Sequence, residues 1–427
     1  MSLDEKHKIL FFLFMRIKPR VKRDAQMAHH DYRRILTFGF PFEDLSRDVK
    51  LICLSNFIGA FGEGLYIFVL PLYLIQLQAS IVDVGAFFSV MYLFSALAPI
   101  PGGFLADKFD RRMIVFFSWG LWTFTPLVYA FSNHWVEMIP GAILWGSSML
   151  GAPAINAYIV TSAKDQRKTA TLLASFTSTW ALGYIFSPAI GGYLTTIIGM
   201  KQVLLIATVF AAVCTSVYLF ISSQHAPKKT ENKENQQPQP RREISSSARK
   251  RLLAWSIFYA LLVFTMYVSR TFMAPFLRDT VHAEEFYIGL FGSINFAGFA
   301  ILGLLVSRLG DRWEKIDAIL VCVLMFALST VAILFYPNPV FLLFVAFFWG
   351  GSIAYGALIS SVIGAIAPET SRGRWISIPM SSSMVAAVIA PYVGGYLYEI
   401  SPSIPFVVSL VVALPVTVLA LTDLFKE

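Results

Sequence analysis

Twelve apolar stretches dominate this chain. They lie near residues 49–75, 83–106, 113–131, 136–162, 170–196, 201–222, 252–277, 286–306, 315–335, 340–365, 375–398 and 404–424. A helix needs about 20 apolar residues to cross the hydrocarbon layer of a bilayer, and each stretch reaches or nearly reaches that length. Lipid offers no hydrogen bonds, so the backbone must satisfy itself, and helices do so segment by segment. The expected fold class is an all-α membrane protein of about twelve spans. Composition agrees, with 56% hydrophobic and 14% charged residues, where a soluble domain carries about 25% charged residues.

The net charge is +8. Such an excess could attract nucleic acid, but its placement excludes that partner, because the basic residues sit in short segments between apolar stretches. Lys108, Arg111 and Arg112 follow the second stretch; Lys164, Arg167 and Lys168 the fourth; Arg308, Arg312 and Lys315 the eighth; Arg372 and Arg374 the tenth. The alternate loops hold little beyond Lys201 and Arg278. Cytoplasmic loops carry the excess of Lys and Arg, so both termini are expected to be cytoplasmic, in the cell membrane. Residues 223–251, largely HAPKKTENKENQQPQPRREISSSARK, are too polar to build a core and read as a cytoplasmic linker. Residues 1–48 form a cytoplasmic N-terminal segment. Its apolar run, residues 9–15, is too short to span and is followed by Arg16, Lys18, Arg20, Lys22 and Arg23. An interfacial segment, a disordered tail and a true start at Met27 all remain open for it. Cys53, Cys214 and Cys322 sit far apart in apolar stretches and read as free thiols. His29, His30 and Asp31 lack further ligands, so no metal and no cofactor are expected. Phosphate-loop and nucleophile motifs are missing from the sequence, so ATP-driven pumping and enzymatic activity are not expected.

The two sides of the linker, 49–222 and 252–427, repeat each other at a shift of 203 to 204 residues. Pro71 falls on Pro275, and Trp145-Gly146-Ser147-Ser148 on Trp349-Gly350-Gly351-Ser352. Ser187-Pro188-x-x-Gly191-Gly192-Tyr193-Leu194 falls on Ala390-Pro391-x-x-Gly394-Gly395-Tyr396-Leu397. The expected build is two six-helix bundles related by a pseudo-two-fold axis along the membrane normal, the parallel repeat of one large transporter class.

The loop after the second stretch reads Gly103-Phe104-Leu105-Ala106-Asp107-Lys108-Phe109-Asp110-Arg111-Arg112. It resembles the G-x-L-a-D-r/k-x-G-r-r/k motif of the major facilitator superfamily, and the resemblance extends over the chain from the first span onward. Only Asp110 departs, where Gly is usual. The second half keeps a worn copy, Gly303 followed by Arg308-Leu309-Gly310-Asp311-Arg312, with Ser307 at the place of Asp107. In the family this acid and these bases lock neighbouring helix ends and bias the access state, which the resemblance implies for Asp107, Lys108, Arg111 and Arg112. A carboxylate at a helix start and an Arg at a helix end each gain from the macrodipole. Gly183-x-x-x-Ser187-Pro188-x-x-Gly191-Gly192 is similar to the family's exporter motif. Its echo in Pro391, Gly394 and Gly395 favours helix packing as its role, since small residues let helices approach closely. The Arg that drug–proton antiporters carry in the fourth span falls on Ala142 here.

Charges inside spans are costly, about 2.5–3.5 kcal/mol on insertion scales, and mark candidate sites. Glu63 in the first span and Arg270 in the seventh are the two candidates for proton coupling or substrate binding. At about 1.5 Å per residue Glu63 lies beyond the midplane, and Arg270, matching Tyr66 in the repeat, about one turn further. A direct or substrate-bridged pair and a structural ion pair are both open. Candidate cavity-lining residues are Asn56 and Tyr66 in span one, Asn156 on the Trp145–Met149 stripe of span four, Trp180 beside Tyr184 in span five, Tyr259 in span seven, Asn295 in span eight, and Trp349 and Ser352 in span ten. Spans three, six, nine and twelve hold few polar residues and fit lipid-facing helices.

The leading expectation is a monomeric secondary transporter that moves a small organic solute by alternating access, proton-coupled and exporting, in contact with a small-molecule substrate, protons and the lipid bilayer. An uptake symporter or facilitator for an organic anion or sugar is the alternative within transport. A transport-inactive sensor or scaffold with the same fold is the alternative outside it.

Overall fold

A computed structural model of the chain describes residues 45–162, 169–225, 246–312, 315–366 and 372–420. The expectations for the N-terminal tail, most of the linker, and Lys164, Arg167 and Lys168 fall outside them.

Helix α1 is Arg47–Ile67 continued by Leu70–Gln76 across a 43° bend. The first half then holds α2 (Ile81–Lys108), α3 (Arg111–Phe131), α4 (Trp135–Thr161), α5 (Thr169–Ile198) and α6 (Met200–Phe220). The second half holds α7 (Ser246–Arg270, continued by Met273–Val281), α8 (Glu285–Arg312), α9 (Lys315–Phe335), α10 (Pro339–Gly351, continued by Tyr355–Ile366), α11 (Arg372–Ile400) and α12 (Ile404–Ala420). Among the described residues, ten helices are long and apolar enough to cross a membrane, and the bent α1 makes eleven. The shorter apolar α12, with 17 residues, is the twelfth.

Local chemistry sets many of the ends. Ser80 and Asp83 form a reciprocal capping box at the start of α2. Asp110 caps α3 and Asn338 caps α10. Gly199, at φ +81°, turns the chain between α5 and α6, a conformation only glycine adopts cheaply. Pro71 and Pro153 sit where α1 and α4 break and resume. The breaks repeat: a 3₁₀ turn at Met149–Gly151 in α4 has its mate at Ser352–Ala354 in α10.

Packing follows the repeat. Helix α5 packs on α1, and α11 on α7; α2 lies against α4, and α8 against α10; α3 lies against α6, and α9 against α12. The halves meet through α5 with α8 and through α11 with α2. The two glycine pairs make both kinds of joint possible. A Cβ on Gly191 would lie 1.8 Å from the Leu65 carbonyl oxygen of α1, and one on Gly394 would lie 2.3 Å from that of Val268 in α7. Their neighbours face the other half. A Cβ on Gly192 would lie 2.2 Å from the Glu285 carbonyl oxygen, and one on Gly395 would lie 2.9 Å from Val82 Cα. Gly183 adds close contact with Ala60 and Phe57 of α1, and Pro188 opposes Gly289 across the halves. At the same end Phe68 stacks near Phe291, ring centroids 6.1 Å apart. At the Asp107 end Gly103 faces open space and Phe104, Asp107 and Lys108 are exposed.

Candidate functional site

Glu63 stands between two glycines that fix α1 tightly. A Cβ on Gly62 would lie 2.5 Å from Phe210 Cβ of α6, and one on Gly64 would lie 1.8 Å from Ser187 Oγ of α5. The remaining direction points Glu63 into a cavity of about 80 Å³ inside the first half. Its walls are largely indole: Trp119 and Trp122 from α3, Trp145 from α4 and Trp180 from α5, with Asn56, Met149 and Cys214. Trp145 Nε1 donates to Glu63 Oε1 at 2.7 Å. Tyr184 lies beside the same carboxylate. Among the described residues Glu63 has no cationic partner. Asn56 borders the cavity but its amide is engaged, donating to the Phe176 carbonyl oxygen at 2.7 Å and to Thr179 Oγ1 at 3.3 Å.

A second, smaller cavity of about 10 Å³ lies inside the second half, lined by Met266, Arg270, Phe326, Trp349, Ser352 and Ile353. It is the repeat mate of the first. Trp349, Ser352, Ile353 and Phe326 stand 204 positions after Trp145, Ser148, Met149 and Trp122. The frame is copied closely: Ser148 Oγ donates to the Trp145 carbonyl oxygen at 2.6 Å, and Ser352 Oγ to that of Trp349 at 2.6 Å. The polar contents differ. The residue matching Glu63 is Tyr267, whose ring meets Tyr92 of α2 at 5.2 Å. Trp349 Nε1 is buried without a hydrogen-bond partner. Arg270, half-buried, makes no hydrogen bond or ion pair among the described residues. Glu63 and Arg270 thus line separate cavities and form no ion pair with each other.

A family model described as Major Facilitator Superfamily matches residues 52–277 and 263–426. The chain belongs to this superfamily. Among its relatives is the multidrug resistance protein MdtG of Escherichia coli O9:H4 (strain HS), 27% identical over 371 residues that cover 82% of this chain and 87% of the relative. MdtG of Yersinia enterocolitica is 26% identical over 370 residues, covering 82% and 86%. The fold is shared with the nucleoside transporter NupG, at TM-score 0.70 and 16% identity over 88% of this chain and 98% of that one. It is also shared with an inward-facing, unoccupied bacterial homolog of the human lysosomal transporter Spinster, at TM-score 0.66 and 16% identity over 87% and 96%. The protein is a multi-pass membrane transporter of this superfamily.

The superfamily loop motif divides its labour. Arg111 is buried and donates through Nη1 to the Ala157 carbonyl oxygen, Thr161 Oγ1 and Gln224 Oε1, at 3.3, 2.8 and 2.8 Å. Arg112 Nη1 donates to the Ile221 carbonyl oxygen at 3.1 Å. The two bases therefore tie together the ends of α3, α4 and the segment after α6. Asp110, the departure from the motif, accepts from the backbone N–H of Gln224 and of Arg112, both at 3.0 Å. Partial burial works to raise its carboxyl, but those N–H groups, Ser223 and the Arg112 guanidinium outweigh it and hold it below the usual carboxylate range. Asp107 and Lys108 are exposed, with no hydrogen bond or ion pair among the described residues. Arg308 is exposed, and the side chains of Asp311 and Arg312 fall outside the description.

Other expected lining residues take different places. Tyr66 is buried against Tyr129, ring centroids 6.2 Å apart, with both hydroxyls unpartnered, and borders neither cavity. Asn156 is exposed. Asn295 is buried, its Nδ2 donating to the Ala346 carbonyl oxygen at 3.2 Å. Tyr259 is half-buried against Tyr355, 6.2 Å between centroids. Trp180 packs on Tyr184, Phe296 and Phe299, bridging the halves. Spans three, six and nine, expected among the lipid-facing helices, expose Phe117, Val209 and Leu324 and also contribute Trp119, Trp122, Cys214 and Phe326 to the cavity walls. The three-residue spacing of Trp119 and Trp122 puts both on one helix face, but nothing in that spacing tells a cavity wall from a lipid-facing one.

Proposed function

We propose that this protein is a secondary active transporter that exports a small organic solute by alternating access, with Glu63 carrying the coupled proton. The observation that supports it most is a carboxylate inside the spans, facing a cavity, held by a neutral indole N–H and by no described cation. An uncompensated charge in apolar surroundings is costly, so loading and release of a proton at Glu63 is a switch that the cavity's hydration would drive. The name of the MdtG relatives, multidrug resistance protein, favours export of organic compounds. Residues 49–222 and 252–427 serve as the two moving halves, joined by the linker 223–251, with both termini cytoplasmic. The halves press together away from the Asp107 loop, where Gly192, Gly289 and Gly395 let their backbones meet, a joint about which they could move.

Reconstituted protein in pH-gradient proteoliposomes tests this. Glu63→Gln is expected to abolish pH-driven accumulation of a transported solute while exchange at equal pH persists. Accumulation at the wild-type rate by Glu63→Gln would leave Glu63 a structural partner of Trp145.

A further inference from the structure

The two cavities are built on one frame, yet only in the first does the indole N–H meet an acceptor. In the first half an indole N–H has a carboxylate. In the second half the matching indole N–H, on Trp349, is buried and unpartnered, and beside it stands Arg270 without an ion pair among the described residues. A buried donor left unmade and a poorly solvated guanidinium both favour an acceptor that carries negative charge. Among the described residues the chain supplies none, and Tyr267 occupies the position of Glu63.

We infer that the ligand supplies it: the solute is an amphipathic carboxylate, seated with its carboxylate between the Arg270 guanidinium and Trp349 Nε1. This deepens the transport reading above and rests on it. The cavity of about 10 Å³ has room for about one water-sized oxygen, so it takes a headgroup oxygen and not a whole molecule. Its other walls, Met266, Phe326 and the Trp349 ring, are apolar, and Phe326 lies nearly parallel to Trp349 at 21° with centroids 6.4 Å apart. Such walls favour an apolar group next to the headgroup oxygen, with the rest of the ligand lying outside this cavity. The first cavity, where Glu63 is already engaged by Trp145, stays free for the proton.

The experiment is a thermal-unfolding titration of the full chain in detergent with two probe series, phenylacetate to 4-phenylbutyrate and hexanoate to decanoate, each acid beside its primary amide. Size-matched alkylammonium and arylammonium compounds complete the set. Carboxylates are expected to raise Tm in a dose-dependent way, and the amides are not. Arg270→Gln is expected to weaken carboxylate affinity at least about tenfold, and Trp349→Phe, which keeps the ring and removes the N–H, about fivefold. Unliganded Tm and monodispersity separate folding from binding. Arg270→Lys, which keeps the charge and loses the fork, is expected to fall between wild type and Arg270→Gln. Three results would each overturn the inference: no carboxylate-dependent shift, equal shifts by acid and amide, or carboxylate affinity unchanged in Arg270→Gln and Trp349→Phe. If ammonium compounds bind and exchange across vesicles while carboxylates do neither, the inference falls and the transport reading stands. If carboxylates bind as described but no solute exchanges, the transport reading falls and the binding site stands.

Discussion

Trp145 and Trp349 occupy the same place in the two halves, each held by a serine one turn on and each beside a 3₁₀ break. Around Trp145 the space is about 80 Å³ and contains an acid; around Trp349 it is about 10 Å³ and contains a base. The repeat has kept what packing demands, namely prolines, glycine seats and large rings, and has let the polar groups diverge. On the proposed reading, asymmetry of charge on a symmetric frame assigns a proton to one half and a ligand headgroup to the other.

Making each half resemble the other tests that division. The largest effect is expected from Tyr267→Glu, which installs an acid at the position matching Glu63, one helical turn before Arg270. Self-neutralisation of the second cavity should cost carboxylate ligands at least about tenfold in affinity, read by thermal-shift titration. Loss of the Tyr92 ring contact adds about 0.5–1.5 kcal/mol of destabilisation. Unchanged affinity would mean that the position does not face the headgroup. Trp145→Phe works in the opposite direction, leaving Glu63 without its indole donor. A fall in stability of about 2 kcal/mol at neutral pH is expected, with slowed pH-driven transport. Wild-type stability and rate would show that the contact is incidental.

Two smaller changes concern the loop motif. Asp107→Ser gives the first half the residue of the second, and is expected to lower turnover severalfold at unchanged stability by shifting the balance of access states. Cysteine-accessibility measurements at both ends would report the shift, and no change in either readout removes the gating role. Asp110→Gly restores the usual motif residue, which is also Gly310 in the second half. It should cost about 1 kcal/mol through loss of the α3 cap. The Asp110 carboxyl is depressed in the folded state, so its contribution is present at neutral pH and lost as pH falls through that depressed value. The stability difference between wild type and Asp110→Gly should therefore shrink in acid, and a constant difference would assign it to backbone entropy alone.

The helices and their repeat were readable because lipid imposes length and because Pro71, Pro275 and the glycine pairs recur in register. Glu63 and Arg270 were readable as charges where charges are costly. Their surroundings were not. That Glu63 meets Trp145, 82 residues away, depends on how α1 and α4 are rotated, which Gly62 and Gly64 fix by contacts with α5 and α6. Trp119 and Trp122 read alike whether a helix faces lipid or a cavity, since either side rewards an apolar ring. The division of the loop motif into a buried Arg111 and an exposed Asp107 is set by where Gln224 returns after α6.

Gly192 and Gly395 bring the halves together through main-chain atoms: the Glu285 carbonyl and Phe286 Cα on one side, the Ile81 carbonyl and Val82 Cα on the other. Interdigitated side chains would have to change rotamer before one surface could slide on another, and each such step would add friction. At these two points the seam is bare backbone and has no teeth to disengage, while the rings of Trp180, Phe296 and Phe299 interlock elsewhere along it. It also places little demand on which side chains the opposing helix carries, so the sequence there can drift without jamming the joint.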